Sequence, residues 1–285
     1  MTIKSVGIVG SGIMGSGIAE VAAKAGATVV LRSRKQESAD AMVAGLGKSL
    51  AKQVERGKLE QAAADEIAGR VSATASLADL KDCDLVIESI VEDLDTKKAL
   101  FAELDGIVKD GAILATNTST LPVVEMAVQT NRPDKVCGVH FFNPAPAMAL
   151  VEIVRPLTAS DETIAAVTEF ASSCGKNPVE VQDRAGFIVN ALLFPFLNNA
   201  VRMLENGTAN REDIDAAMQG GCNHPMGPLA LLDLVGLDTS VSILDALYAE
   251  FRDPNYAAQP LLRRMVTAGH LGRKSGQGFY DYSKK

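Results

Sequence analysis

The chain begins with a short apolar run that leads directly into a glycine-rich turn and then into a helix. The run Ser5–Val9 precedes three glycines with the spacing G-x-G-x-x-G, at Gly10, Gly12 and Gly15. In this motif the first glycine permits a tight turn, the second lets the backbone approach a pyrophosphate, and the third allows close packing of helix on strand. Similar turns occur without a ligand, but here the motif opens an alanine-rich helix, Ser16–Ala25, and a second apolar strand follows. The sequence therefore predicts a dinucleotide-binding site at the N-terminus of this helix, formed by Gly10, Gly12, Ile13, Met14 and Gly15.

The second strand, Thr28–Leu31, ends in a sequence that departs from the usual dinucleotide-binding pattern. About 20 residues after the glycines, such sites usually carry an acidic residue that accepts hydrogen bonds from the adenine ribose of NAD. This chain has Ser33 there, with Arg32, Arg34 and Lys35 beside it. A carboxylate would repel the 2′-phosphate of NADP, whereas a hydroxyl among cationic groups could bind it. The sequence therefore favours NADP over NAD, with Ser33 and Arg34 as contacts; a solvated loop whose basic residues bind no ligand is the alternative.

The composition is that of a globular protein and excludes several classes of partner. The 285 residues are 47% hydrophobic, and the formal net charge is −7. Nucleic acids and anionic membranes need a dominant basic surface, so neither is expected as a partner. The four cysteines are far apart and lack C-x-x-C spacing, which predicts reduced thiols and no metal site. The N-terminus does not resemble a signal peptide and no apolar run reaches about 18 residues, so we expect a cytoplasmic protein.

Short apolar runs alternate with helical stretches through the first two thirds of the chain. Such alternation is typical of βαβ units, in which helices cover a mostly parallel sheet. The predicted fold class is α/β, with a Rossmann-type dinucleotide-binding domain over residues 1–184 and an all-α domain over residues 185–285. Residues 36–70 predict a helical hairpin insertion that projects from the sheet, with Gly57 between its helices. The predicted strands are Ser5–Val9, Thr28–Leu31, Leu85–Glu88, Ile113–Thr116, Val136–His140, Leu150–Val154 and Pro178–Val181.

The second domain is predicted to be entirely helical because the strand signals stop at Gly186. Its first helix, Phe187–Glu205, is apolar on nearly every side and therefore needs cover all around. A domain of about 100 residues is too small to provide that cover alone, so this helix predicts a homodimer. Pro195 lies inside the helix and is expected to kink or break it. Three more helices are predicted, at Arg211–Gln219 with Asn210 as its cap, Leu237–Glu250 and Pro260–Ala268.

His140 is the strongest candidate for a catalytic group. It ends a predicted strand, on the side of a parallel sheet where α/β folds bind ligands. Twelve residues later Glu152 lies within another apolar strand, where a carboxylate is costly unless it is paired. A histidine oriented and made more basic by a carboxylate can act as a general base on a hydroxyl group, as hydride abstraction from the adjoining carbon requires. A core histidine that is hydrogen-bonded to the backbone is the alternative.

Two further groups of polar residues have more than one interpretation. The run Asn117–Thr120 follows a predicted strand, so its side chains could hydrogen-bond a substrate oxygen or the nicotinamide amide. The same run could equally cap the next helix. Lys48, Lys52 and Arg56 recur at four-residue spacing on one helical face, which could bind a phosphate-rich ligand or could simply be solvated.

Taken in order, the motifs of this chain resemble those of the single-function 3-hydroxyacyl-CoA dehydrogenases, and in particular the bacterial 3-hydroxybutyryl-CoA branch of that family. The resemblance covers essentially the whole chain. It implies an oxidoreductase that interconverts (S)-3-hydroxyacyl-CoA and 3-oxoacyl-CoA, here (S)-3-hydroxybutyryl-CoA and acetoacetyl-CoA, by hydride transfer with a nicotinamide cofactor. The matching segments are Gly10–Ala19, Asp84–Glu88, Asn117–Ser119, His140–Pro146, Gly186–Asn190, His224–Pro228 and Gly272–Tyr280.

The same resemblance implies roles for individual residues. His140 would exchange the hydroxyl proton as general acid and base, while Glu152 would fix the imidazole tautomer and stabilise the imidazolium. Ser119 and Asn190 match residues that hydrogen-bond the reacting oxygen or the thioester, and Asn190 would require the helical domain to close on the first. Positions that match cofactor contacts are Glu92, Lys97, Asn143 and Lys274, and positions that match contacts to coenzyme A are Ser49 and Arg56.

Ser33 is the main departure from the family, in which the ribose-binding residue is usually aspartate. The departure leaves the reaction class unchanged and bears only on the choice between NAD and NADP. Two other classes of function stay open from the sequence. One is a dehydrogenase of free hydroxy or sugar acids, and the other is a non-enzymatic structural protein similar to the lens crystallins related to this family.

Overall fold

The computed structural model describes residues 2–283, so residue 1 and residues 284–285 of the two predicted domains lie outside it. The chain divides into two compact units, the first ending at Asp183 and the second beginning at Arg184. The first unit contains a sheet with its connecting helices, and the second is built of helices. This architecture confirms the predicted fold class, an α/β Rossmann-type fold followed by an all-α region.

The first unit is organised around one sheet. Its strands are β1 (Ser5–Val9), β2 (Thr28–Arg32), β3 (Val71–Thr74), β4 (Leu85–Glu88), β5 (Ile113–Thr116), β6 (Val136–Phe141), β7 (Leu150–Arg155) and β8 (Asn177–Gln182). They lie in the order β3-β2-β1-β4-β5-β6-β7-β8. Neighbouring strands in this order are parallel, except that β6 and β7 are antiparallel. The strand order reverses between β1 and β4, and ligands of open α/β sheets bind at such a reversal.

The helices of the first unit connect these strands. They are α1 (Ile13–Lys24), α2 (Gln36–Glu55), α3 (Gln61–Gly69), α4 (Leu94–Asp105), α5 (Val123–Ala127) and α6 (Asp161–Ser173). Helix α1 begins three residues before its predicted start, because the glycine turn leads into it directly. The turn and the first helical residues are therefore continuous with β1, as a phosphate-binding helix N-terminus requires.

The predicted hairpin forms, with Gly57 at a left-handed φ of 64° between α2 and α3. The sequence analysis missed β3, whose four residues are not uniformly apolar. Because β3 pairs with β2, the hairpin is the crossover connection between two neighbouring strands. Met42, Leu46 and Leu50 of α2 are buried in the same apolar core as Leu31 of β2. The expectation that the hairpin projects from the sheet is therefore wrong.

The second unit contains α7 (Val189–Glu205), α8 (Arg211–Cys222), α9 (Pro228–Val235), α10 (Leu237–Phe251) and α11 (Pro260–Thr267). Helix α7 begins two residues later than predicted, because Phe187 has a left-handed φ of 50° that a right-handed helix does not include. It continues through Pro195 without a break. The short helix α9 was not predicted. Within the described part of the chain, none of the helices combines the length and the apolar character needed to cross a bilayer.

Candidate active site

The carboxyl ends of the parallel strands meet at one edge of the sheet, and most of the predicted site residues follow those ends. A cleft of about 630 Å³ opens there. It is bordered by the turns after β1, β2 and β4 and by one side of α4. Its lining residues are Gly10, Ser11, Gly12, Arg32, Ser33, Arg34, Leu77, Ser89, Ile90, Val91, Thr96, Ala99, Leu100 and Glu103. The structure thus brings the glycine motif and the loop around Ser33 into one cleft.

The three motif glycines are required for different reasons. A Cβ on Gly10 would lie 2.1 Å from the carbonyl oxygen of Ser89, and a Cβ on Gly15 would lie 2.4 Å from the carbonyl oxygen of Gly10. Both positions therefore need glycine for the fold itself. Apart from its immediate neighbours in the chain, a Cβ on Gly12 would meet nothing within 4 Å, so packing does not explain that glycine. The predicted approach of a ligand to the backbone would account for it.

The loop after β2 contributes a cationic border to the cleft. Ser33 is buried, and its N–H donates to the carbonyl oxygen of Thr74 at 3.1 Å. Burial lowers the pKa of Arg32; the charge of Glu103 opposes this shift and that of Arg34 adds to it. The Arg34 side chain is exposed. Two guanidinium groups and one carboxylate, that of Glu103, therefore border the cleft around Ser33.

His140 and Glu152 form a buried pair across the antiparallel strands β6 and β7. The two residues are direct partners in the strand register, and the imidazole Nδ1 lies 2.7 Å from the carboxylate Oε2. An ionised carboxylate only accepts hydrogen bonds, so Nδ1 carries a hydrogen atom and the neutral imidazole has its lone pair on Nε2. The twelve-residue separation noticed in the sequence is thus the separation of partners in a β-hairpin.

Ser119 completes a row of three polar side chains. Its Oγ lies 3.1 Å from His140 Nε2, on the side of the ring opposite Glu152. The backbone N–H of Ser119 donates to Glu92 Oε1 at 2.9 Å, and the Thr118 hydroxyl donates to the same oxygen. The run Asn117–Thr120 does not begin a helix, since α5 starts at Val123. The structure therefore brings Ser119, His140 and Glu152 together, as one acid–base group beside one hydroxyl.

Glu88, the last residue of β4, is a member of this region that the sequence analysis missed. Its carboxylate is fully buried and accepts two hydrogen bonds from Lys97 Nζ, at 2.7 and 2.9 Å. The same ammonium lies 3.1 Å from Glu92 Oε2. Lys97, predicted to contact a cofactor, is 1% exposed and is held between two carboxylates. An acidic residue in an otherwise apolar strand was the signal that could have identified Glu88, as it identified Glu152.

The asparagines near the end of β6 have different surroundings. Asn117 Oδ1 accepts the backbone N–H of Phe141 at 2.8 Å, which ties the turn after β5 to β6. Asn143 is exposed and follows β6 at the carboxyl edge, where the predicted contact to a cofactor would require it. The Phe142 ring lies 4.5 Å from the His140 ring and covers the imidazole.

The residues that match contacts to coenzyme A are Ser49 on α2 and Arg56, which directly follows the last residue of α2. Ser49 is half-buried, and its hydroxyl donates to Glu20 Oε2 at 2.9 Å. Glu20 is buried on α1 and also accepts hydrogen bonds from Lys24 and Gln53. The pKa of Glu20 is lowered, because these hydrogen bonds outweigh the opposing effect of burial. A separate exposed row consists of Lys48, Lys52 and Arg56.

Two predicted site residues belong to the second unit. Asn190 lies in the first turn of α7 and is buried. Lys274 lies in a 3₁₀ turn, Arg273–Ser275, and its ammonium pairs with Asp238 at 2.6 Å. That ion pair links the turn to the start of α10 within the same unit.

Comparison with known proteins gives one family over nearly the whole chain. Residues 5–184 match the family model described as "3-hydroxyacyl-CoA dehydrogenase, NAD binding domain", and residues 186–282 match the C-terminal domain of the same family. The chain is 50% identical over 277 residues to a 3-hydroxybutyryl-CoA dehydrogenase of Clostridioides difficile, covering 97% of this chain and 99% of the relative. It is 49% identical over 286 residues to one of Mycobacterium tuberculosis, covering 98% of this chain and 99% of the relative. The crystal structure of (S)-3-hydroxybutyryl-CoA dehydrogenase from Ralstonia eutropha superposes with a TM-score of 0.97 at 44% identity, covering 99% of this chain and 100% of that one.

Proposed function

The chain belongs to the 3-hydroxyacyl-CoA dehydrogenase family, and we propose that it interconverts (S)-3-hydroxybutyryl-CoA and acetoacetyl-CoA with a nicotinamide cofactor. The observation that carries this proposal is the row formed by Ser119, His140 and Glu152 beside the cofactor cleft. A basic nitrogen paired with a carboxylate and adjacent to a hydroxyl is what proton exchange with a secondary alcohol needs. Relatives with about half of their residues identical carry the name of this activity.

His140 is the proposed general base and acid. During oxidation, Nε2 accepts the proton of the substrate hydroxyl while the hydride leaves the carbon that bears it. The imidazolium that forms lies against the Glu152 carboxylate, which stabilises the positive charge and keeps the ring oriented. During reduction, the imidazolium returns the proton to the oxygen. The Ser119 hydroxyl, 3.1 Å from Nε2, supports a second hydrogen bond to the same oxygen.

A bound nicotinamide dinucleotide supplies the hydride acceptor for oxidation and the donor for reduction. The cleft residues fit such a cofactor, since the place that a Gly12 Cβ would occupy at the start of α1 is open space apart from the adjoining backbone. Ile13 presents an exposed side chain beside that backbone, and Met14 follows in the first helical turn. Glu92, Asn143 and Lys274 remain predicted cofactor contacts, and Lys97 is proposed to act from its buried position through Glu92.

NADP is the proposed cofactor. Ser33 lines the cleft where NAD-specific relatives of this fold carry a carboxylate, and the guanidinium groups of Arg32 and Arg34 lie on the same border. Both charges favour a 2′-phosphate. Glu103 also lines the cleft, and its negative charge opposes the preference for NADP. The balance of these three charges therefore determines how strong that preference is.

We propose that the protein binds its substrate through the coenzyme A portion. The exposed cations Lys48 and Lys52 on α2, with Arg56 directly after its last residue, suit the phosphates of coenzyme A, although the chain as a whole is acidic. Ser49 lies on the same helix, and Glu20 holds its hydroxyl in one orientation. Asn190 remains a predicted contact to the substrate oxygen or the thioester.

We also propose that the protein forms a homodimer and resides in the cytoplasm. Leu192 and Met203 are eleven residues apart on α7, which places them on one face of that helix, and both side chains are exposed. A second copy of the chain would cover this apolar face.

The proposed function is tested by comparing acetoacetyl-CoA with free acetoacetate as substrates for NADPH and NADH oxidation, followed by absorbance. Turnover of the thioester and loss of activity on the free acid support the proposal, because the cations of α2 then contribute to binding. Equal turnover of the free acid would favour a dehydrogenase of free hydroxy acids. Absence of turnover with either substrate would favour a non-enzymatic protein.

A further inference from the structure

Glu88 has more charged and polar partners than its place at the end of a short strand requires. Its carboxylate accepts from Lys97 Nζ, from the Thr116 hydroxyl at 2.7 Å and from the backbone N–H of Ile90 at 2.6 Å. It is fully buried, as is Lys97. Burying two opposite charges is costly, and removing one partner from such a pair is costlier still. Glu88 itself does not line the cleft, so its contacts act by holding other residues in place, among them Ile90 at the edge of the cleft.

The first group that Glu88 organises is the turn after β5. Glu88 and Thr116 are register partners at the ends of β4 and β5. The Thr116 hydroxyl donates to Glu88 and accepts the backbone N–H of Thr118 at 3.1 Å. One short chain of hydrogen bonds therefore leads from the Glu88 carboxylate to the residue that precedes Ser119.

The second group is reached through Lys97. The ammonium has three donors, and its three carboxylate contacts are two to Glu88 and one to Glu92. Glu92 then accepts the backbone N–H of Ser119 and the hydroxyl of Thr118. A second chain of contacts therefore leads from Glu88 through Lys97 and Glu92 to Thr118 and to Ser119 itself.

We propose that Glu88 is a positioning residue for the Ser119 hydroxyl. Both chains of contacts converge on Thr118, the second also holds the Ser119 N–H, and the Ser119 Oγ lies 3.1 Å from His140 Nε2. A hydroxyl held from two directions keeps its distance to the imidazole, whereas a hydroxyl on an exposed turn would sample several positions. The inference rests on the proposed function, because it concerns the same acid–base group.

Glu88→Gln tests the proposal, since glutamine keeps the shape of the side chain and removes its charge. We expect kcat to fall about 10- to 100-fold, because a displacement of about 1 Å in a reacting group has effects of this size. The value of kcat is measured at saturating cofactor, because Glu88 also holds the backbone of Ile90, which lines the cleft, and reaches Glu92, a predicted cofactor contact. The drop should nearly disappear when Ser119→Ala is already present, because a residue that acts through Ser119 has nothing left to position.

Asp105→Asn is the matched control. Asp105 belongs to the same helix as Lys97, and its buried carboxylate pairs with the half-buried Arg132 at 2.7 Å. This variant should lower the melting temperature as Glu88→Gln does, and it should leave kcat unchanged. The double variant Glu88→Gln/Lys97→Met removes both buried charges, so it should regain stability while kcat stays low. If Glu88→Gln alone does not fold, the double variant is used in its place.

Hydrogen exchange provides a measurement that does not depend on turnover. The Thr118 and Ser119 amides should exchange faster in Glu88→Gln than in the wild type. In Asp105→Asn they should exchange at the wild-type rate. Unchanged exchange would overturn the proposal. An equal loss of kcat with and without Ser119→Ala, or recovery of kcat in the double variant, would also overturn it. If the wild type does not reduce acetoacetyl-CoA, the proposed function fails, and hydrogen exchange still decides whether Glu88 positions Ser119.

Discussion

The imidazole of His140 and the carboxylate of Glu152 meet across the antiparallel strands β6 and β7, with Nδ1 2.7 Å from Oε2. Both side chains are buried, so the pair is shielded from water on the sheet side. A shift of either strand by one residue would turn one side chain to the other face of the sheet. Strand register therefore sets the tautomer of the proposed general base.

Substitution of this pair should abolish most of the activity without affecting cofactor binding. We expect His140→Ala to lower kcat by several orders of magnitude, and Glu152→Gln to lower it about 10²- to 10⁴-fold, because the amide no longer stabilises an imidazolium. Stopped-flow or steady-state rates with acetoacetyl-CoA measure both effects, and fluorescence titration with the reduced cofactor measures its Kd. Turnover near the wild-type rate in His140→Ala would show that the base is another residue.

Ser33→Asp should shift the cofactor preference towards NADH. One added carboxylate near the 2′-phosphate changes the relative binding free energy by about 1–3 kcal/mol, or about 5- to 150-fold in the ratio of kcat/KM values. The change should appear in the KM of NADPH, since the adenine ribose is remote from the reacting carbon. Ser172→Asp adds the same charge on the exposed end of α6 and should leave the ratio unchanged. A strong preference of the wild type for NADH would contradict the proposed NADP specificity.

Arg56→Glu should weaken binding of the thioester substrate. It reverses one charge in the exposed row on α2, so the KM of acetoacetyl-CoA should rise several-fold, and more at low salt than at high salt. The value of kcat should stay near that of the wild type. Lys81→Glu makes the same charge change at an exposed position outside α2 and serves as the control. Equal effects of the two variants would mean that only net charge matters.

Leu192→Glu should weaken the proposed dimer. Leu192 is 71% exposed on α7, and a charge there would have to be buried in a contact between two copies. Light scattering at micromolar concentration should give about twice the mass of one chain for the wild type and a lower mass for the variant. Leu157→Glu changes an even more exposed leucine in the first unit and should keep the dimer. A monomeric wild type would refute the contact.

Asp84 should contribute stability that depends on pH. Burial raises the pKa of this carboxyl, but hydrogen bonds from Lys109, Lys4 and Ser5 outweigh it and lower the pKa from 3.8 to about 2. A carboxyl whose pKa is lowered by folding stabilises the protein at pH values above its pKa in the unfolded chain. This contribution is lost as the pH falls towards its pKa in the folded protein. Asp84→Asn should therefore lower the melting temperature at pH 7. The difference from the wild type should shrink below about pH 4, and a difference that stays constant from pH 7 to about pH 3 would contradict the prediction.

Much of the site could be predicted because its parts are encoded locally. The glycine motif was readable from its spacing, since Gly10 has a φ of 139° and Gly15 must avoid the Gly10 carbonyl within the same turn. His140 and Glu152 were readable as polar residues in apolar strands, because a buried carboxylate needs a partner. Local backbone sterics and burial thus determined the α/β fold, the first unit's phosphate-binding turn and the pair of candidate catalytic side chains.

Only the tertiary structure decided which remaining groups meet. Glu88 lies in β4, Lys97 lies in α4, and Glu92 lies in the turn between these elements. Their contacts reach Ser119 because β4 and β5 are neighbours in the sheet. Strand order depends on how the crossover helices pack. The hydrophobic period of one segment does not show which strands lie beside it in the sheet. The same reason explains why β3 was missed and why the hairpin was expected to project. The sequence by itself therefore determined the elements and the reacting pair, and packing between distant segments decided how Ser119 is held.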